Sequence, residues 1–146
     1  MLSSLKHRLL VLIIPILFVS CNKKSNQNPI PSVPFDITIN INLPSYSSLT
    51  GVGGWCYVNG GVKGIVVYRR SQMDFVAFER QSPQDPNGTC KKPLTSDPNN
   101  FLVLSDSCSG ATFSLNDGSP MSGSNIGLRQ YATSFDGSSN LRIYNN

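Results

Sequence analysis

Few side chains in this sequence are equipped for chemistry, and the main constraint is an absence: beyond His7 the chain carries no histidine. A serine or cysteine nucleophile needs a base beside it, usually imidazole, so Ser109 and Cys108 are poor candidates for a Ser/His/Asp or Cys/His pair. The carboxylates Asp74, Glu79, Asp85, Asp97, Asp106, Asp117 and Asp136 could in principle supply a glycosidase pair. Most of them stand beside Gly, Pro or Asn, where an aspartate ordinarily forms a turn. Trp55, Tyr57 and Tyr68 could make an aromatic platform for sugar or peptide, but strand alternation places at least half of them in a core. No catalytic residue is assigned, and no enzyme is expected.

The start of the chain is an address. Lys6, His7 and Arg8 precede an unbroken apolar run from Leu9 to Val19, closed by Ser20 and Cys21. A run this short is a signal-peptide core, since a bilayer span needs about 20 apolar residues. Leu17-Phe18-Val19-Ser20-Cys21 resembles the lipobox of bacterial lipoproteins. That likeness implies a signal peptide over 1–20, cleavage before Cys21, and acylation of Cys21 with palmitate-class chains. Residues 21–34 are polar and proline-rich and read as a flexible tether. Lys23 and Lys24 add only about 1 kcal/mol each at an anionic surface, leaving the anchoring to the acyl chains. With no acidic cluster after Cys21, the expected place is the outer membrane, facing the periplasm.

Removing the signal takes away Lys6 and Arg8, so the formal charge of +4 falls to +2. The remaining basic residues are scattered and form no nucleic-acid footprint. Residues 35–146 suffice for one domain with a core, and too few remain for two.

Turn-forming residues punctuate that domain every eight to twelve positions, which predicts an all-β fold of about eight short strands in a small antiparallel sandwich or partly open barrel. Phe35 to Leu43 alternates apolar and polar, placing Phe35, Ile37, Ile39, Ile41 and Leu43 toward a core until Pro44 ends the strand. Trp55–Val58, Ile65–Tyr68 and Phe75–Phe78 follow, the first two joined through Asn59-Gly60-Gly61, a strong turn signal. Phe101–Leu104 and Thr112–Leu115 flank a loop holding Cys108, with a turn over Asn116–Pro120. Leu128–Phe135 and Leu141–Tyr144 close the domain as a hairpin.

Two loops carry a family likeness. Phe78-Glu79-Arg80-Gln81-Ser82-Pro83-Gln84-Asp85-Pro86 resembles the first cluster loop of Rieske iron–sulfur domains, and Asp106-Ser107-Cys108-Ser109-Gly110-Ala111-Thr112-Phe113 resembles the second. The likeness runs from Gly51 to Asn146, through the turn at Leu115–Gly123 and the closing hairpin. It implies a Rieske-like fold in which Ser82 and Gln84, then Asp106 and Ser109, occupy the four cluster-ligand positions. Asp85 and Asn87 take the first pair on a shifted alignment. A Rieske centre hangs on two thiolates and two imidazoles, and serine, glutamine and aspartate supply neither. The cluster is therefore expected to be absent, with no other cofactor and no resident metal.

The resemblance further implies a disulfide between Cys90 and Cys108, one beyond each ligand pair, which export to an oxidising compartment permits. Cys56 is then left as a small, buried apolar residue, pairing with either partner being the rival. If the two loops meet as in the family, Asp85, Asn87 and Asp106 could also converge as oxygen ligands for calcium. The function implied is a membrane-anchored binding or accessory module with an envelope protein partner, its bare loops offering a contact surface. Alternatives are electron transfer through a noncanonical or partner-supplied centre, and a structural remnant that only packs within a larger complex.

Overall fold

The computed structural model describes residues 28–145. The expected signal peptide 1–20, Cys21 and the expected tether up to residue 27 lie outside the described residues. Strands run in the order β1 (Phe35–Asn40), β2 (Trp55–Val58), β3 (Ile65–Arg69), β4 (Phe75–Glu79), β5 (Thr95–Ser96), β6 (Val103–Ser105), β7 (Thr112–Ser114), β8 (Pro120–Ser122), β9 (Gln130–Phe135) and β10 (Asn140–Asn145). A 3₁₀ helix over Pro44–Thr50 joins β1 to β2. The fold is all-β, as the punctuation predicted.

A curled six-stranded antiparallel sheet has the order β1-β10-β9-β4-β3-β2, and a second sheet has the order β5-β6-β7-β8. Because β3 and β4 are covered on both faces, they read as continuous apolar runs. Ile65, Val67, Phe75 and Ala77 face the hollow of the curled sheet, together with Leu141, Ile143 and Leu49 of the 3₁₀ helix. Val66, Val76 and Phe78 face the other way, against Leu104, Phe113 and Leu115 of the small sheet region. The two cores are thus separated by one sheet thickness. Gly118 lies so close to the second that a Cβ there would stand 2.6 Å from the Phe78 ring.

Several expectations need correction. Alternation stops at Asn40: Ile41 is buried, but Leu43 is 52% exposed, because the chain turns into the helix before it. The strand expected from Phe101 begins at Val103, leaving Phe101 and Leu102 exposed. Two short edge strands, β5 and β8, were not expected; Pro120 opens β8 where the whole of 116–120 had read as a turn. Packing also starts before Phe35. Ile30 is buried, the Arg129 guanidinium donates to its carbonyl, and the Asn28 side chain donates to the Gly127 carbonyl at 2.8 Å. The end of the expected tether is therefore seated on the domain.

The Glu79 carboxylate, at the end of β4, is wholly buried. Its Oε2 accepts the Val62 N–H at 2.6 Å and the Tyr131 hydroxyl at 2.5 Å, while Oε1 accepts the N–H groups of Lys63 and Gln81, both at 2.8 Å. Four donors fill the lone-pair directions of a carboxylate, which is what makes burial of such a group tolerable. Burial, and then donation to Glu79, pushes the Tyr131 phenol well above its ordinary value. Gly61 makes the approach possible: it has φ +62°, and a Cβ would stand 2.3 Å from Glu79 Oε2. Gly61→Ala should therefore cost about 3 kcal/mol, from left-handed strain plus overpacking. Tyr131→Phe, which removes one charge-assisted bond, should cost about 2 kcal/mol. Urea unfolding of both variants, with unchanged m-values, checks the order.

Candidate functional site

Beyond Glu79 the chain enters the first loop under tight control. Gln81 is buried, and its side-chain amide donates to the carbonyls of Asp85 and Pro86 at 2.9 and 3.0 Å. Asp85 folds the loop around itself: Oδ1 accepts the Thr89 N–H and hydroxyl at 2.9 and 2.7 Å, and Oδ2 accepts the Cys90 N–H at 2.8 Å. Lys63, reaching over from the β2–β3 turn, pairs with Oδ2 at 3.4 Å and donates to the Cys90 carbonyl. The Thr89 hydroxyl first, then these N–H groups and Lys63, hold the Asp85 carboxyl at about 2 against the opposing effect of burial.

The second loop is a turn between β6 and β7 organised by Asp106. Its backbone accepts Gly110 N–H at 2.8 Å and donates to the Ala111 carbonyl at 2.9 Å. Its carboxylate, only 4% exposed, accepts the Cys108 N–H at 2.8 Å and the Ser109 hydroxyl at 2.6 Å. Burial raises this carboxyl, but the hydroxyls of Ser109 and Ser82 and the N–H groups of Cys108 and Ser109 outweigh it, leaving the net value lowered.

The two loops meet. Cys90 and Cys108 form a disulfide with Cα atoms 6.3 Å apart. Its 18-residue separation is worth about 3 kcal/mol in the chain-entropy description. Beside it, the Ser82 hydroxyl of the first loop lies close enough to the Asp106 carboxylate of the second to help lower its pKa, while accepting the Gln84 N–H at 3.2 Å. Of the four positions singled out from sequence, Asp106 and Ser109 are hydrogen-bonded to each other and Ser82 stands near them. Gln84 does not: its amide turns outward to the Ser124 hydroxyl at 2.7 Å. Ser109 is exposed as a residue, yet its hydroxyl is committed to Asp106. The loops are thus held by an internal polar network, with the buried Gln81 Oε1 left without a partner among the described residues, and are not bare, solvated ends.

This donor set does not fit a Rieske cluster. It presents hydroxyls and a carboxylate bonded to one another, and the two nearby sulfurs are bonded together. Calcium fares no better, since the oxygens of Asp85 and Asp106 are turned toward N–H, O–H and ammonium donors. Cys90, Asp106 and Cys108 form a close group, with ligand atoms within 4.8 Å of one another, but the disulfide removes the thiolates a metal would use. Cys56 lies apart on β2, paired in register with Val67, and burial pushes its thiol up to about 11.

The remaining candidates have structural work. Asp74 pairs with Arg70 at 2.8 Å, while Asp97, Asp117 and Asp136 accept backbone N–H groups within their own turns. Trp55 and Tyr68 are half-buried against the second core. Tyr57 is more open, but the Arg80 guanidinium lies 3.6 Å from its ring centroid and its hydroxyl accepts the Ser96 N–H at 2.9 Å. A cleft of ≈ 230 Å³ lies between Trp55 and Phe101, floored by Ser48, Gly53 and Gly54. Three of its polar groups are already paired: the Ser48 hydroxyl donates to the Trp55 carbonyl, and the N–H groups of Gly53 and Gly54 to the carbonyls of Arg69 and Gly51. Phe101 had no signal as a lining residue, because it stood at the head of an expected strand.

Compared with known proteins, the chain matches no family model, no curated protein and no solved structure.

The network sets two expectations. Asp106→Ala should cost about 2 kcal/mol in denaturant unfolding, since it strands buried donors, and Ser109→Ala clearly less. For acid, both Asp85 and Asp106 have folded values below the ordinary 3.8. Their contribution is complete above that value and is lost as pH falls through the lower folded ones. Stability should hold down to about pH 4 and drop between about pH 4 and 2, and Asp85→Asn should flatten that decline.

Proposed function

We propose that this protein is a cluster-free, Rieske-like β module of the bacterial cell envelope, held to a membrane through acylated Cys21, that serves as a binding or accessory subunit for an envelope protein. The observation that carries this reading is the meeting of the two loops. Asp106 and Ser109, at places where the family's ligands would stand, hydrogen-bond to each other beside the Cys90–Cys108 bridge, and the nearby Ser82 hydroxyl helps to keep the Asp106 carboxyl low. Polar bonds and a disulfide here do the cross-linking that a metal centre does elsewhere. The likeness itself rests on the order and spacing of residues in the two loops. The loops are rigid on the inside and expose Cys108, Ser109 and Gln84 outward, a surface that suits docking without an ordering cost.

The test is purification of the full chain from native membranes, anaerobically, after mild cross-linking. The expected result is a colourless protein free of iron and acid-labile sulfide, recovered with one stoichiometric envelope partner. Iron and sulfide with a visible absorption band would overturn the reading in favour of electron transfer. Recovery of the chain alone would remove the accessory role.

A further inference from the structure

The bridge between the loops has two unlike ends. Cys108 is exposed at the apex of the second loop, whereas Cys90 is half-buried in the first. The charged groups around them also differ. Cys90 has the Lys63 ammonium on its own carbonyl, exposed Lys91 and Lys92 following it, and the Asp85 carboxylate on its N–H. The charged group on the Cys108 side is Asp106, whose carboxylate accepts the Cys108 N–H and lies within 4.8 Å of both sulfurs. The turn that carries Cys108 is held by the Asp106 network and by two backbone bonds across 106–111, none of which runs through the bridge.

From this asymmetry we infer that Cys90–Cys108 is an exchange site of fixed polarity: a thiolate of a partner dithiol, the chemistry of a thiol–disulfide oxidoreductase, attacks Cys108 Sγ and expels Cys90. In the first step a sulfur–sulfur bond forms between the partner and Cys108, and the Cys90–Cys108 bond breaks. The electron pair goes to Cys90 Sγ, on the residue whose carbonyl holds the Lys63 ammonium, and water supplies its proton. The partner's second thiolate then attacks its own sulfur in the mixed disulfide. Cys108 leaves as a thiolate and is protonated, the partner dithiol is oxidised to a disulfide, and this chain gains two thiols. Exposure selects the sulfur that is attacked, and the Lys63 ammonium on the Cys90 carbonyl offsets part of the charge on the residue that leaves. Asp106 acts as a filter, because its fixed negative charge beside both sulfurs disfavours an anionic attacker over a neutral or cationic one. The consequence is an address on the loop surface that a dithiol protein opens without unfolding the turn.

The experiment treats the folded full chain with reduced glutathione as the probe, alkylates the freed thiols, and maps both labels by peptide mass spectrometry. Glutathione is expected on Cys108, with the alkyl label on Cys90, in an excess of about fivefold or more. An equal or inverted ratio overturns the polarity. A bridge that opens only after the chain is unfolded overturns the exchange site altogether. In Asp106→Asn, the rate with glutathione should rise about three- to fivefold relative to the rate with cysteamine, the cationic probe. An unchanged ratio of the two rates overturns the role given to Asp106, and a merely structural effect would move both probes together.

Discussion

A single buried carboxylate governs how this chain leaves its central sheet. Among the described residues no cation forms an ion pair with Glu79; three backbone N–H groups and one phenol satisfy it instead. Those donors come from the β2–β3 turn, from β9, and from the first residue pair beyond β4, so one group joins three parts of the chain that are remote in sequence. Because the Gln81 N–H is among them, the direction in which the first loop departs is set before the loop begins. Lys63, placed by the same turn, then reaches the Cys90 carbonyl and Asp85. The geometry of the loop pair is inherited from a contact in the interior.

Much of this was legible in the residues. The continuous apolar character of β3 and β4 came from burial on both faces, and the Asn59-Gly60-Gly61 turn was plain because only glycine takes those backbone angles cheaply. That the loops holding Cys90 and Cys108 meet was an expectation of the family resemblance, and the disulfide joins them. What could not be read was anything decided by side-chain reach. Gln84 stands in the same pattern as Ser82, yet a serine two atoms long stays inward while a glutamine has the length to find Ser124. Glu79 looked like one carboxylate among several, since nothing local distinguishes a buried acceptor from a surface acid. The short strands β5 and β8 have too few residues for any period to register.

The two loops also show how hydroxyls and a carboxylate can order a pair of loops. Hydroxyls and carboxylates make poor ligands for iron–sulfur chemistry, but they hydrogen-bond well to one another and to backbone N–H groups. The Asp106 carboxylate, bonded to the Ser109 hydroxyl and the Cys108 N–H, organises the second loop from within, beside the disulfide. Its stability rises with pH through the carboxylate range, whereas a metal-built loop would depend on the supply of its metal.

The seating of Ile30 bears on how the molecule carries mechanical load. Tension arriving along the chain ahead of Asn28 meets the buried Ile30 side chain and the Arg129 and Gly127 contacts before it reaches β1. The side chain of Asn145 adds a second tie, to Ser32 and Val33. The edge strand is therefore not pulled open one hydrogen bond at a time from its exposed end. Force is delivered to the segment leading into β9, in the middle of the six-stranded sheet, where it is shared between neighbouring strands on both sides.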